Sequence, residues 1–333
     1  MFDIIGVLIL IVFIALFGFL SIRVWKSKLA FLKWAGVFIT GLLTLVLAAL
    51  LVLALVGFYK LNTQYDNPVA MIQVVGTPER IARGEQLANI CLSCHAPGDQ
   101  LPLSGSNFGE KFDMPPLGTL YAPNLTPSGN IQDWTDGEVI RAIREGVHKD
   151  GRSLLIMPSE SYQNMSDDDV QALVAYLRSQ PGTGAPTPNN ELNVLGAIFM
   201  NLSDFRTAQQ PVGNVAAPQP GTAENGKYLV DIIGCSDCHG AQLQGKLETG
   251  QPGPPAGPNL TLIVPQWTEE QFMVFFNTGM LPGGGQVPIL TLKSGFSEPR
   301  MPWTMVRAAT TDAELKAMYA YLHSLPVVES PTK

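Results

Sequence analysis

The pattern Cys-x-x-Cys-His occurs twice in this chain, as Cys91-Leu92-Ser93-Cys94-His95 and as Cys235-Ser236-Asp237-Cys238-His239. The copies start 144 residues apart and use all four cysteines. This spacing is the attachment signature of c-type haem. Two thiols about one helical turn apart can each bond one vinyl group of a single porphyrin. The next residue then sets an imidazole under the iron. Whatever fold the chain adopts must therefore accommodate two flat, apolar plates. Structural zinc is one rival for a cysteine pair, but it ordinarily draws on two neighbouring pairs. Here the pairs are far apart and each ends in His. A reactive dithiol is the other rival, and the duplication beside further matching sequence argues against it. The expected cofactors are two covalently bound c-type haems. One is held by Cys91, Cys94 and His95, the other by Cys235, Cys238 and His239.

The sequence around each motif repeats as well. Pro123-Asn124-Leu125-Thr126 is echoed by Pro258-Asn259-Leu260-Thr261, and Trp134-Thr135 by Trp267-Thr268. Met157-Pro158 is echoed by Met301-Pro302, and Ala175-Tyr176-Leu177 by Ala320-Tyr321-Leu322. From His95 to Met157 is 62 residues, and from His239 to Met301 is also 62. A thioether on the far side of the iron raises its potential and closes its sixth position. Met157 and Met301 are therefore the expected distal metal ligands, opposite His95 and His239. Methionine also fills gaps in ordinary cores, and the parallel positions weigh against that reading. Met114-Pro115 competes in the first repeat but has no counterpart in the second. His148 and His323 have none either and read as ordinary surface or half-buried residues. No catalytic residue is expected. The two Asn-Leu-Thr triplets match glycosylation sequons, yet their recurrence inside the repeats points to a structural turn.

Capping signals mark the helices. Thr135 with Glu138, Thr268 with Gln271 and Thr311 with Glu314 are spaced as capping boxes. Ser166 precedes a helix whose Val170, Leu173, Tyr176 and Leu177 share one face. Ahead of the repeats lie two uncharged runs, Ile4–Ile22 (19 residues) and Ala35–Tyr59 (25 residues). Each is long enough to cross a hydrocarbon core of about 30 Å as a helix. A cleaved signal peptide would want a basic start and a small-residue cleavage site, whereas this chain starts Met1-Phe2-Asp3. The connection between the runs holds Arg23, Lys26, Lys28 and Lys33 and no acid. Positive loops stay in the cytoplasm, and Trp25, Trp34 and Tyr59 fit an aromatic belt. The chain after Lys60 is thus expected on the periplasmic or extracellular face of the inner, cytoplasmic membrane.

The expected organisation is a transmembrane hairpin over 1–60, a connector over 61–76, a first module over 77–180, a linker over 181–221 and a second module over 222–333. The linker's middle, Val194–Phe205, is apolar enough to be buried against a haem module or the membrane surface. Residues 1–67 carry +3; the whole chain carries −7, which leaves −10 on the rest. An acidic external body excludes nucleic acid as a partner and suits a basic redox partner, although such a surface also serves solubility.

Gly118-Thr119-Leu120-Tyr121-Ala122-Pro123-Asn124-Leu125-Thr126-Pro127, then Trp134-Thr135, Arg141-Ala142-Ile143-Arg144-Glu145-Gly146-Val147 and Met157-Pro158, resemble the cytochrome c subunits of membrane-bound alcohol, aldehyde and gluconate dehydrogenases. The second module resembles class I cytochrome c in general. The resemblance implies a mainly α fold, with two transmembrane helices followed by two tandem class I cytochrome c domains. It also implies that a glycine of each module's first helix packs on an aromatic of its last, Gly84 with Tyr176 and Gly226 with Tyr321. Such subunits usually have three haem motifs and a C-terminal anchor, whereas this sequence has two motifs and an N-terminal hairpin. N-terminal anchoring of a dihaem body is similar to the cytochrome subunit of some haem–copper oxidases. The expected role is electron transfer within or to a respiratory or photosynthetic complex. Its partners would be an integral membrane redox complex, a soluble carrier, or both, together with membrane lipid. The alternative is a dihaem peroxidase, which needs one iron with an open or displaceable ligand.

Overall fold

The fold is described from a computed structural model over residues 3–98, 100–203, 205–248, 255–288 and 301–332. In chain order the helices begin with α1 (Ile4–Trp25) and α2 (Ala30–Leu61), then α3 (Pro78–Ala88), α4 (Leu92–His95) and α5 (Phe108–Lys111). Next come α6 (Asp136–Glu145), α7 (Ser159–Tyr162), α8 (Asp167–Ser179) and α9 (Val194–Leu202). The second module holds α10 (Ala223–Ile233), α11 (Cys235–His239), α12 (Leu260–Ile263), α13 (Glu269–Thr278), α14 (Trp303–Ala309) and α15 (Asp312–Ser324). Strand is confined to two short antiparallel pairs among the described residues. β1 (Ser106–Asn107) pairs with β3 (Tyr121–Ala122) through Ser106↔Ala122, and β2 (Gly118–Thr119) with β4 (Glu191–Leu192) through Gly118↔Leu192.

The chain divides into two compact units. The smaller gathers residues 1–64, 114–120 and 189–206. Its helices α1 and α2 pack along each other and are long and apolar enough to cross a membrane. Asp3 caps α1, accepting from the Gly6 amide at 2.8 Å. At the turn between the helices Trp25 meets Trp34 edge-on at 5.5 Å, and the Lys33 ammonium lies 4.1 Å over the Trp25 ring.

The larger unit contains both repeats, apart from residues 114–120 of the first, around one shared hydrophobic core. Each repeat is framed by its first helix crossing its last, α3 on α8 and α10 on α15. The crossing needs glycine, because a Cβ on Gly84 would strike the Ala172 carbonyl and the Tyr176 Cβ. A Cβ on Gly226 would strike the Ala317 carbonyl, the equivalent atom one repeat later. The expected Gly84–Tyr176 contact is thus present, while the nearest atoms to Gly226 belong to Ala317 and Met318. The three capping boxes form as the spacing predicts, at Thr135, Thr268 and Thr311.

The stretch expected as a linker is a set of separately anchored pieces. The Thr183 and Ala185 carbonyls accept from Asn124 Nδ2 at 2.7 and 3.1 Å. Farther on, the Thr207 amide donates to the Leu154 carbonyl and the Gln209 amide to the Glu145 carbonyl. Between these anchors β4 and α9 belong to the smaller unit. Composition suggested a tether because Pro, Gly and Asn resist regular elements. They do not prevent a strap held by its own backbone groups.

Candidate haem centres

Both attachment motifs are wound into short helices that follow directly on the first helix of their repeat. In the first, a 3₁₀ turn at Asn89–Cys91 leads into α4, which ends on His95. In the second, Gly234 turns the chain at φ 78° and α11 carries Cys235 through His239. Helical winding brings the two thiols of each pair to one side.

The imidazoles are fixed in matching fashion. His95 Nδ1 lies 2.9 Å from the Pro123 carbonyl, and His239 Nδ1 lies 2.7 Å from the Pro258 carbonyl. A carbonyl can only accept, so Nδ1 carries the proton and Nε2 is left with its lone pair, as metal ligation requires. Both rings are buried, and burial pushes both below the ordinary histidine range, opposed by those carbonyl bonds. Each helix end is closed by a glycine amide. Gly105 donates to the His95 carbonyl and Gly245 to the His239 carbonyl, both at 2.7 Å. These glycines sit at φ 83° and 86°, a region that side chains disfavour.

The prolines whose carbonyls hold the imidazoles begin the Pro-Asn-Leu-Thr repeats. Asn124 Oδ1 accepts from the Thr126 amide and hydroxyl at 2.9 and 2.8 Å. Asn259 does the same with Thr261 at 2.9 and 2.7 Å. All four residues are buried, so the triplets are turns and not glycan acceptors.

In the first repeat a cavity of about 330 Å³, its open mouth included, lies beside the attachment helix. Cys91, His95, Met157, Tyr162 and Met165 line it, with Ile90, Leu125, Ile143, Leu173 and Leu177. An imidazole, a thioether and an attachment cysteine around an apolar slot fit a c-type haem. Met114 is not among the lining residues and belongs to the smaller unit. Met165, which nothing in the sequence marks out, lines the slot and is fully buried. Its place in the second repeat is taken by Thr310, one residue before the N-cap of the last helix, whereas Met157 has a true counterpart in Met301. Met301 is partly buried against the shared core and followed, like Met157, by a proline that opens a helix.

The other readings of the motifs find little support. Burial pushes the Cys91 and Cys235 thiols up to about 12, with the second cysteine of each pair adding to the rise. A reactive dithiol needs the opposite, a thiolate favoured near neutral pH. Among the described residues no three or more His, Cys, Asp and Glu side chains gather as a metal site. His148 is half-buried, with Nδ1 2.8 Å from Asp150 Oδ1 and its ring edge-on to Trp134. His323 is exposed beside Tyr319.

The two repeats are tied together at one cation. Arg83 on α3 reaches Asp169 of its own repeat at 2.8 Å and Glu314 of the other at 2.6 Å. Asp169 and Glu314 occupy the same position in their helices, three residues after the caps Ser166 and Thr311. The Tyr228 hydroxyl of the second repeat donates to Asp169 at 2.6 Å. The helices that follow the two Met-Pro steps also cross between repeats, α7 onto α10 and α14 onto α3.

The cytochrome c family pattern matches residues 81–181 and 223–326, the two repeats just described. The chain belongs to the cytochrome c family. Its two cytochrome domains follow two apolar helices in a mostly helical chain, in line with the expected fold class. Members of this family carry covalently bound c-type haem, and the residues gathered here suit it. Among known proteins the chain is similar to a nicotinate dehydrogenase subunit of Pseudomonas putida, at 29% identity over 74% of this chain and 21% of that one. It is similar to the fructose dehydrogenase cytochrome subunit of Gluconobacter japonicus, at 25% identity over 74% of this chain and 52% of that one. The gluconate 2-dehydrogenase cytochrome c subunit of Pantoea cypripedii is 33% identical over 48% of this chain and 37% of its own length. The chain thus spans about half the length, or less, of these relatives.

Proposed function

We propose that this chain is a membrane-anchored electron carrier holding two c-type haems, one per cytochrome domain, and serving a dehydrogenase complex. The observation that carries the reading is the paired site geometry. His95 and Met157 face one apolar slot, the imidazole is oriented by the Pro123 carbonyl, and the second domain repeats that orientation at His239 and Pro258. Cys91 with Cys94, and Cys235 with Cys238, would hold the porphyrins covalently. Bound haem supplies one-electron chemistry, with a potential raised by a thioether ligand. The residues around it supply position and dryness. The carbonyl at Nδ1 fixes each imidazole's tautomer and aim, burial disfavours its charged form, and the apolar walls of the slot keep water out. Because Met157 and Met301 would fill the sixth positions, a peroxidase reading is less well supported.

The partner reading rests on the relatives, whose names make them parts of dehydrogenases. A terminal oxidase or a soluble carrier would be the next station for the electron. The basic turn between α1 and α2 supports a cytoplasmic position for that turn, with the cytochrome domains on the other side. The test is purification of the full-length holoprotein from membranes in mild detergent. Two haems per chain by pyridine haemochrome assay, low-spin spectra with thioether ligation and a co-purifying dehydrogenase are expected. A high-spin ferric haem with peroxide turnover would overturn the reading.

A further inference from the structure

Helix α9 is an unusual piece of an external protein. It reads Val-Leu-Gly-Ala-Ile-Phe-Met-Asn-Leu, with no charged residue over nine positions. It lies across the paired ends of α1 and α2, in the unit that contains all three. At its start the Val194 amide donates to Asp3 Oδ2 at 3.1 Å, while Oδ1 of the same carboxylate caps α1. In its middle Ala197 sits directly on α2, so close that a Cβ on Gly57 would collide with the Ala197 carbonyl. Near its end the Lys60 ammonium donates to the Asn201 carbonyl at 3.4 Å. Val7, Ala54, Phe58 and Ala197 form a small hydrophobic core of their own beneath it.

One face of α9 is thus spent on the hairpin. The other keeps Leu195 at 58% and Leu202 at 69% exposure. Seven residues is close to two turns, so these leucines project from the same side. The hairpin in the same unit also exposes large apolar side chains, among them Ile4, Ile5 and Leu8 of α1 and Leu55, Val56 and Tyr59 of α2. A membrane-surface helix ordinarily turns a charged face to water and an apolar face to lipid. Here protein covers the face that would otherwise need charges. Asp3 and Lys60, at the helix ends beside it, mark the level at which charge is tolerated.

We propose that α9 is a third membrane-contacting element, a surface helix whose Leu195 and Leu202 enter the acyl-chain boundary of the bilayer that α1 and α2 cross. The proposal rests on α1 and α2 being membrane spans, and it adds a lipid contact from the middle of the chain. A segment that follows the whole first cytochrome domain is thereby held at the membrane surface. The lipid, not a second protein, is the occupant because α9 carries no charge and packs on the two helices that are long and apolar enough to cross the bilayer.

The test places the full-length holoprotein in phosphatidylcholine vesicles containing a small share of a lipid with a diazirine high on its acyl chain. After irradiation, tryptic peptides 34–60, 179–206 and 308–316 report α2, α9 and a polar segment of the second domain whose Thr311, Asp312 and Lys316 are exposed. Adducts on 179–206 several-fold above those on 308–316, and close to those on 34–60, are expected. The paired change Leu195→Asp and Leu202→Asp should lower labelling of 179–206 several-fold and leave 34–60 unchanged. Labelling of 34–60 with 179–206 at the level of 308–316 would overturn the proposal. Failure of 34–60 itself to label would overturn the membrane reading on which it stands.

Discussion

The two cytochrome domains are built on one frame and differ in how that frame is walled. Shared are the carbonyl-bound imidazole, the glycine amide that closes its helix, the Asn-x-Thr turn and the helix crossing through Gly84 or Gly226. Even the strap over the turn is shared. Asn124 Nδ2 is held by the Thr183 and Ala185 carbonyls, and Asn259 Nδ2 by the Val328 carbonyl and Ser330 hydroxyl, each just beyond the domain's last helix. The wall provided by α6 and by α13 is not. In the first domain it buries Arg141, Arg144 and Glu145, with Arg141 donating to the Asn67 and His148 carbonyls and Arg144 to Asp167. In the second domain the positions of the arginines are Val274 and Asn277, and Phe272, Phe275 and Phe276 pack as an aromatic cluster. Duplication has kept what the iron and the helix crossing demand. It has let the wall choose between paired charge and aromatic packing, two routes to a closed interior.

If the frame is truly duplicated, damage to one domain should leave the other's haem in place. The largest effect is expected from Cys235→Ala with Cys238→Ala, which should cut covalent haem from two per chain to one, read by haemochrome assay after denaturation. Loss of both haems would mean that the domains cannot mature separately. Next comes the ligand comparison. Met157→Ala and Met301→Ala should each lower one potential by ~100 mV, a modest share of the ~0.8 V that axial ligation spans, and leave the other unchanged in a potentiometric titration. The Met165→Leu variant should move neither. A Met165→Leu shift with a silent Met157→Ala would reassign the first ligand.

Smaller effects concern packing. Gly84→Ala and Gly226→Ala should each destabilise the fold by about 1–3 kcal/mol, the range for overpacking a close contact, measured by denaturant titration of the holoprotein. Equal costs would sharpen the equivalence of the two crossings, and a free substitution at either would break it. The smallest effect is expected at the joint between domains. Arg83 is 25% exposed, so solvent screens its pairs with Asp169 and Glu314. Arg83→Met should cost about 1–2 kcal/mol, between the values for surface and buried pairs. It should also separate two unfolding transitions that otherwise coincide.

The Cys-x-x-Cys-His motifs and the Met-Pro steps, each present twice, and the three capping boxes were legible because each is a short pattern of fixed spacing. The Pro-Asn-Leu-Thr repeat was visible too, but its service to the imidazole was not. The group that acts is the Pro123 or Pro258 carbonyl, and a main-chain oxygen has no signature of its own. Met165 was missed because it has no partner in the second domain, so repetition, the strongest guide, said nothing of it. The buried arginines were hidden for another reason. Charges in an amphipathic helix read as its wet face, and only tertiary partners such as Asn67 and Asp167 make their burial tolerable. The anchoring of residues 183–209 was not legible because their hydrogen bonds to Asn124, Leu154 and Glu145 are long-range facts.

The main-chain origin of the oxygen that steers each imidazole has an evolutionary consequence. No codon change can delete a carbonyl, so single substitutions can disturb that contact only by displacing the loop that presents it. Surrounding side chains can then differ, as those of α6 and α13 do within one chain, while both imidazoles keep the same carbonyl contact.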